Sequence, residues 1–305
     1  MGEAMKPRIG VLTSGGDCPG LNAVLRGVAL AGEKLGFEVL GFLDGFEGLL
    51  PPGKFMLLDR KSTSGIMPRG GTILGTTNRG HFVAKIGAGE KAAIAAEVIE
   101  GARSILKENR VEALIIVGGD GSMTTALQLQ ESGINCIGVP KTIDNDLAAT
   151  AMTFGFDSAV ATVTDALDRL HTTATSHKRV MVLEVMGRHA GWIALHGGFA
   201  GGAHVILIPE IPFHYDKITE ALHLREVKGS IYSLIVVAEG ACPAHGQAVK
   251  RHTEGAKTGS VASVEWSRRR SPRAAVERRV VPSSAICNAA ARRRLWIGFS
   301  ALVSA

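Results

Sequence analysis

Two short segments of the sequence combine glycine, carboxylate and hydroxyl groups in a way that suits phosphate chemistry. In GGDGS at 118–122, paired glycines let the backbone approach a phosphate, and Asp120 can hold Mg²⁺. In PKTIDND at 140–146, Asp144 and Asp146 lie two residues apart and share a face if the loop is extended. One carboxylate can accept a hydroxyl proton while the other helps to place a divalent ion. The alternatives are a helix-capping Asp120 and an Asx-rich turn.

A third segment, SGGDCPG at 14–20, follows an apolar run and precedes apolar residues at helical spacing. Backbone N–H groups at such a helix start attract phosphate, although many parallel α/β proteins use this turn only for packing. Arg179 and Arg188 would be costly buried charges unless each faces an anion or water. His189 and His196, seven residues apart on a predicted helix, have no third ligand at metal spacing, so we interpret them as polar residues at a helix edge.

The elements that must position these groups alternate between strands and helices. Continuous apolar strands predict parallel sheets covered by helices on both faces, in two α/β lobes. Ligands of such sheets bind beyond the carboxyl ends of the strands, where the polar segments fall. We expect strands at 8–14, 39–44, 112–117, 135–139, 179–185, 204–209 and 231–238, and helices at 22–35, 90–107, 124–131, 160–172 and 215–224.

The charge distribution divides the chain further. Residues 251–305 hold 11 Lys and Arg against 3 Glu, whereas the preceding residues are near neutral, so the overall charge of +6 lies in this tail. We therefore expect one lobe at 1–145, a second lobe at 146–250 and a poorly ordered Arg-rich tail at 251–305. We interpret the tail as a solvated extension, with a nucleic-acid-binding arm as the alternative.

The overall composition excludes several classes of protein. Of the 305 residues, 46% are hydrophobic and 38 are glycine, which excludes disordered, collagen-like and disulfide-dense chains. The sequence has no run of about 18 apolar residues and no secretory leader, so we expect a cytoplasmic protein without a membrane partner. Its four cysteines are far apart and form no C-x-x-C, which favours free thiols over a disulfide or zinc site.

Taken in order, TSGGDCPGLNA, RGGTILGT, GGDGS, PKTIDND, EVMGRHAGW and VVAEG resemble segments of the phosphofructokinases of the bacterial and eukaryotic glycolytic type, over roughly residues 6–239. This resemblance implies two Rossmann-like lobes with mainly parallel sheets, an active site in the cleft between them, and a homodimer or homotetramer. Residues 1–145 would form the lobe that binds the nucleotide or phosphate donor, and residues 146–250 the lobe that binds the sugar phosphate. The implied activity is Mg²⁺-dependent transfer of a phosphoryl group from ATP to the 1-hydroxyl of fructose 6-phosphate. PKTIDND followed by MGR argues against the NAD and diacylglycerol kinases, which share GGDG-type loops.

The resemblance also implies the site residues. Asp144 would be the general base, Thr142 and Asp146 would support its loop, and Asp120 would carry Mg²⁺. Arg188 would stabilise charge on the transferring phosphoryl group. The sugar site would comprise Thr142, Asp144, Met186, Gly187, Arg188, Glu239 and, reaching a neighbouring subunit, Arg179; the donor site would comprise Gly15, Gly16, Asn78, Arg79, Gly119, Asp120, Gly121, Ser122 and Lys141.

Two positions disagree about the donor. In this family a glycine at the position of Gly121 leaves room for the nucleotide of ATP, whereas pyrophosphate-dependent members carry Asp there. Lys141 resembles the pyrophosphate-dependent members, and the combination resembles a mixed-substrate subgroup. An added carboxylate at 121 would block ATP, whereas a lysine at 141 only adds attraction to phosphate. We therefore expect ATP, with pyrophosphate as the alternative.

The sequence departs from the family pattern after about residue 255. The G-H-x-Q-R-G-G-S-P segment, whose His and Arg bind the sugar phosphate in the family, has no counterpart here. The abrupt change of composition is typical of a shifted reading frame, and a divergent tail is the second interpretation. In either case we expect an unstable or weakly active chain, with a truncated protein that only binds nucleotide as the alternative function.

Overall fold

The computed structural model describes residues 6–77, 80–82, 93–148, 150–187, 189–244, 250–251 and 259–260. These residues group into two compact units. The first lobe contains the described residues up to Thr142 and Leu147–Gly155, and the second contains Ile143–Asp146 and the described residues from Phe156 onward. The sequence-based prediction of an α/β fold with mainly parallel sheets is confirmed. The domain limits at 145 and 250 stay predictions.

Six strands and four helical segments make up the described part of the first lobe. The strands are β1 (Arg8–Thr13), β2 (Glu38–Phe42), β3 (Phe55–Leu58), β4 (Val111–Gly118), β5 (Cys136–Thr142) and β6 (Phe154–Gly155); the helices are α1 (Leu21–Leu35), the 3₁₀ helix Gly45–Leu49, α2 (Ala96–Glu108) and α3 (Asp120–Glu131). Their order in the sheet is β3-β2-β1-β4-β5-β6. Every neighbouring pair is parallel except β2 and β3.

Side chains that alternate along the strands bury both faces of this sheet. Val11 of β1 packs with Leu25 of α1 on one face, and the next residue, Leu12, packs in a cluster with Ile105 of α2 and Leu129 of α3 on the other. Each of these large side chains contributes roughly 1.5–3 kcal/mol when fully buried. The two covered faces make a rigid base that holds the loops at the carboxyl ends of β1, β4 and β5.

The second lobe has a smaller parallel sheet. Its described elements are α4 (Phe156–His177), β7 (Val180–Val185), α5 (Trp192–Ala200), β8 (Val205–Leu207), α6 (Tyr215–Val227), β9 (Ser233–Ala238) and a short antiparallel pair, β10 (Lys250–Arg251) and β11 (Gly259–Ser260). The parallel strands are ordered β7-β9-β8. Along β9, Leu234 and Val236 pack in the cluster that includes α4 and α5, whereas Ile235 and Val237 pack with α6.

Several predicted element limits were wrong. The helix expected at 90–107 begins only at Ala96, because the N–H of Ile94 donates to Gln128 Oε1 (2.9 Å) instead of joining a helix. The helix expected from residue 124 begins at Asp120, so the last three residues of GGDGS lie in its first turn. β3 and the 3₁₀ helix were not predicted. Apart from Arg251, Gly259 and Ser260, the predicted tail lies outside the described residues.

Within the described ranges, the helices are too short or too polar to cross a bilayer.

Candidate active site

The turn at residues 15–20, here called the glycine turn, connects β1 to α1 at the carboxyl edge of the first sheet. Gly15 has a φ of +89°, a left-handed conformation that favours glycine. Thr76 Oγ1 donates to the carbonyl of Gly15 (2.7 Å), and Lys141 Nζ donates to the carbonyl of Gly16 (2.6 Å). Contacts from two other segments therefore hold the backbone of this turn.

Three predicted donor-site segments meet at the glycine turn. A Cβ added to Gly15 would lie 3.6 Å from Lys141 Nζ and 3.7 Å from Ser122 Oγ. A Cβ on Gly119 would lie 3.4 Å from the carbonyl oxygen of Lys141, whereas one on Gly16 would meet nothing within 4 Å. The structure thus brings Gly15, Ser122 and Lys141 close together and leaves Gly16 exposed beside them.

The GGDGS segment opens α3 towards this edge of the sheet. Gly119 is the residue before the helix, in an extended conformation (φ −86°, ψ −166°), and no side chain caps the helix there. The helix start therefore has uncapped backbone N–H groups and the partial positive charge of the dipole. Asp120 is exposed in the first turn, and Ser122 is buried. Gly121 follows Asp120 in the same turn.

Lys141 is the most deeply buried charged side chain of this group, with 5% of its surface exposed. It lies near the end of β5, and its ammonium reaches the glycine turn. Burial lowers the pKa of Lys141, and the nearby Cys18 and Asp17 oppose that effect. Thr142 follows, with its carbonyl accepting a hydrogen bond from Thr153 Oγ1 (2.7 Å).

The second lobe holds the predicted base, Asp144. Its neighbour Ile143 packs against the second-lobe core and so anchors the loop. Burial raises the pKa of Asp144 to about 6, with further contributions from the negative charges of Asp146 and Glu239 and a smaller opposing effect of His189. The extended loop that would place Asp144 and Asp146 on one face is not observed, because Asn145 has a left-handed φ of +52°. The negative charges of Asp146 and Glu239 nevertheless act on Asp144, so the three carboxylates form one electrostatic group.

The loops after β7 and β9 are tied together beside this group. The N–H of Glu239 donates to the carbonyl of Val185 (2.9 Å), and that of Gly240 donates to the carbonyl of Gly187 (3.1 Å). Gly187 has a φ of +135°, and a Cβ there would come within 2.7 Å of the carbonyl oxygen of Ala190. Met186 is half-buried against the second-lobe core. Met186, Gly187 and Glu239 therefore share one edge of the sheet.

Arg179 lies at the other edge of the same sheet. It precedes β7, and its carbonyl accepts a hydrogen bond from the N–H of Ser233, at the start of β9. A strand of this length separates the two edges by roughly 20 Å. Arg179 therefore does not join Met186 and Glu239 within one chain.

The prediction that His189 and His196 lie on the same helix was wrong. His189 precedes α5, which begins at Trp192, whereas His196 lies within it. Among the described residues, no group of three or more His, Cys, Asp or Glu could hold a metal ion. Three predicted site residues, Asn78, Arg79 and Arg188, lie outside the described residues.

Sequence reasoning assigned no role to two residues that hold these loops. Thr76 donates a hydrogen bond to the carbonyl of Gly15, and only its place in the RGGTILGT motif could have indicated a role for it. Glu210 Oε1 accepts a hydrogen bond from the N–H of Gly191 (2.7 Å), just before α5. No local pattern links positions 191 and 210, because their contact depends on how β8 packs beside α5.

The fold and the two groups of polar side chains define a two-lobed α/β protein of the Rossmann-like class. Comparison with known proteins gives the family. A family model described as Phosphofructokinase matches residues 8–274, beyond the last motif of the resemblance. An ATP-dependent 6-phosphofructokinase of Chloroflexus aggregans is 56% identical over 241 residues, which are 79% of this chain and 67% of that protein. The chain belongs to the phosphofructokinase family, as the sequence resemblance predicted.

Relatives with a different donor in their names also match. A pyrophosphate–fructose 6-phosphate 1-phosphotransferase of Amycolatopsis methanolica is 50% identical, over 81% of this chain and 69% of that protein. The solved phosphofructokinase of Saccharomyces cerevisiae has a TM-score of 0.70 and 34% identity, and the match covers 78% of this chain and 34% of that one. The chain thus spans about two thirds of the curated relatives it matches.

Proposed function

We propose that this chain is a 6-phosphofructokinase of glycolysis that transfers the terminal phosphoryl group of ATP to the 1-hydroxyl of fructose 6-phosphate. The observation that carries the proposal is Asp144, a largely buried carboxylate whose pKa is raised to about 6 beside Asp146 and Glu239. Such a carboxylate is ionised at neutral pH and is more basic than an exposed one, as a general base requires. The names of several relatives support the same reaction.

In this mechanism Asp144 accepts the proton of the 1-hydroxyl as its oxygen bonds to the γ-phosphorus and the bond from that phosphorus to ADP breaks. Thr142 and Asp146 keep the base loop in place. The edge formed by Met186, Gly187 and Glu239 holds the sugar, and Arg179 serves the sugar phosphate of a neighbouring subunit. Arg188 is assigned, from the family resemblance, to the charge that develops on the transferring group. Positioning and charge neutralisation supply most of the catalysis in phosphoryl transfer.

The donor phosphates occupy the space around Gly16 in this proposal. The uncapped start of α3 and the ammonium of Lys141 both attract anions there. Asp120 fits Mg²⁺, because an exposed carboxylate beside bound phosphates supplies the few oxygen ligands that this ion takes from protein. When bound, Mg²⁺ neutralises the charge of the phosphates. Asn78 and Arg79 join the donor site by resemblance.

We favour ATP over pyrophosphate as the donor. Gly121 adds no side chain to the first turn of α3, and Lys141 is held on the Gly16 carbonyl. Relatives that are 56% and 51% identical have ATP-dependent names, which supports this choice, and the pyrophosphate enzyme that is 50% identical is the reason to retain pyrophosphate as the alternative. We further propose that the enzyme is cytoplasmic and self-associates as a homodimer or homotetramer.

The test is turnover of fructose 6-phosphate by the purified chain, with ATP and pyrophosphate in parallel. Asp144→Asn is the test variant, and Asp168→Asn, an exposed carboxylate on α4, is the matched control. We expect turnover with ATP that Asp144→Asn abolishes and Asp168→Asn preserves. Turnover with pyrophosphate alone would reverse the donor assignment. ATP binding without turnover would identify a chain that only binds nucleotide.

A further inference from the structure

A buried lysine of β5, Lys141, reaches the glycine turn beside Asp17, an acidic residue that has no role in the mechanism above. Lys141 is 5% exposed, and its ammonium has one hydrogen bond in the turn, to the carbonyl of Gly16 (2.6 Å). An ammonium group has three N–H donors, and its charge is costly to bury without compensation. A second stabilising group is therefore required near Nζ.

Asp17, the residue after Gly16, has the complementary need. Its Oδ1 accepts a hydrogen bond from the N–H of Cys18 (2.9 Å). Its Oδ2 is buried and accepts no hydrogen bond from the residues that the structure describes. A buried carboxylate oxygen of this kind is costly unless a positive charge lies near it.

The Lys141 ammonium bonds the carbonyl of the residue directly before Asp17, so the two charges are near each other without forming a direct ion pair. Burial lowers the pKa of Lys141, and Cys18 and then Asp17 oppose that effect. Lys141 leaves the end of β5, whereas Asp17 and Cys18 belong to the turn after β1. The two charges therefore couple the two strand ends that bound the donor space.

We propose that Asp17 is a positioning residue for the phosphate donor: its carboxylate, next to Gly16 in the chain, holds the Lys141 ammonium on the Gly16 carbonyl, where the donor phosphates bind. The inference rests on the proposed donor site. Asp17 acts through Lys141 and does not touch the donor. Its loss therefore weakens donor binding in a way that depends on the presence of Lys141 and on pH.

The first experiment is a double-mutant cycle measured by calorimetric binding of MgATP and of pyrophosphate at pH 7 and pH 9. The variants are Asp17→Asn, Lys141→Met and the combination of both. Asp17→Asn keeps the oxygen that bonds Cys18 and removes only the charge. We expect it to weaken binding about tenfold in the wild-type background, more at pH 9 than at pH 7, and less than threefold when Lys141 is already replaced. Equal losses in both backgrounds, or tighter binding in Asp17→Asn, would overturn the proposal.

The second experiment needs no donor. The titration of Lys141 is followed by NMR with ¹³C-labelled lysine and assigned from its disappearance in Lys141→Met. We expect Asp17→Asn to lower the pKa of Lys141, Asp17→Glu to restore part of it, and the exposed control Asp59→Asn to leave it unchanged. An unchanged pKa in Asp17→Asn refutes the positioning role. A lowered pKa in a chain that binds neither donor upholds the coupling and refutes the donor site instead.

Discussion

Lys141 and Asp144 are three residues apart in the sequence and belong to different lobes. Burial shifts their pKa values in opposite directions. Burial pushes both towards their neutral forms, so the pKa of the lysine falls and that of the carboxyl rises. The neighbours of Asp144, Asp146 and Glu239, add to the effect of burial. By contrast, Asp17 and Cys18 oppose it at Lys141. The carboxyl of Asp144 in one lobe therefore has a raised pKa, whereas in the other lobe the fall in the pKa of the Lys141 ammonium is opposed by its neighbours.

The largest expected effect is on the base. Asp144→Asn should lower kcat by about 10²- to 10⁴-fold, the range typical of a lost general base, because the amide cannot accept the hydroxyl proton. Donor affinity should stay within about twofold, because Asp144 belongs to the other lobe. Steady-state kinetics and calorimetric binding of MgATP check the two halves. If Asp144→Asn also weakens donor binding, the roles of base and donor binding are not divided between the two lobes as proposed.

The same substitution should stabilise the protein at neutral pH. The pKa of Asp144 is about 6 when folded and about 4 when unfolded, so the native state binds more protons between these values. The free energy of unfolding therefore falls as pH rises through this window, by an amount of the order of 2–3 kcal/mol. Asp144→Asn removes this loss, and denaturant unfolding at pH 7 should show the gain. The exposed Asp168→Asn should show no gain.

The next largest effect is on the cation. Lys141→Met should weaken binding of ATP by about 10- to 100-fold, because a charge-assisted contact to phosphate contributes about 1.5–3 kcal/mol. It should change kcat far less than Asp144→Asn does. Calorimetry with ATP and with pyrophosphate measures the loss, and the exposed Lys61→Met is the control. If Lys141→Met leaves both affinities unchanged, the donor does not use this ammonium.

The sequence predicted most of the strands whose ends carry these residues, but it did not predict the burial that shifts the pKa values of Lys141 and Asp144. β1, β4, β7 and β9 were predicted within two residues at either end, because each is a continuous apolar run that is buried on both faces. β3 was missed because its four residues gain their structure by antiparallel pairing with β2. The three-residue separation of Lys141 and Asp144 was visible, but their burial was not. Burial depends on tertiary packing, such as Ile143 against the second-lobe core.

Smaller still is a shift in the pH dependence of turnover. Because Asp144 must be ionised, kcat should rise with pH up to about 6 and then level off. Asp146 contributes to the raised pKa of Asp144, so Asp146→Asn should move this limb to lower pH by less than the whole displacement, because burial remains the largest cause. Stopped assays from pH 4.5 to 8 locate the limb. A limb that moves to higher pH would mean that Asp146 does not act on Asp144 as a negative charge.

The smallest effect tests burial at a third titratable group, His204 of the second lobe. His204 Nδ1 accepts a hydrogen bond from the N–H of Leu234 (2.8 Å), which requires an unprotonated nitrogen. Burial, together with Arg225 and His171, lowers the pKa of His204. The folded state therefore binds fewer protons than the unfolded state, and the free energy of unfolding should fall as pH drops below about 6.5. This slope is opposite in sign to that of Asp144.

His204→Asn tests that slope, because an amide oxygen can accept the Leu234 N–H without titrating. In an Asp144→Asn background, which removes the opposing effect of that carboxylate, the free energy of unfolding should fall between pH 7 and pH 5.5, and it should fall less when His204→Asn is added. The exposed His177→Asn, at the end of α4, is the matched control and should behave as wild type. Equal losses in His204→Asn and wild type would assign the acid sensitivity elsewhere. Because this background lacks the Asp144 carboxylate, the dependence of the unfolding free energy on pH gives the sign of the His204 contribution directly.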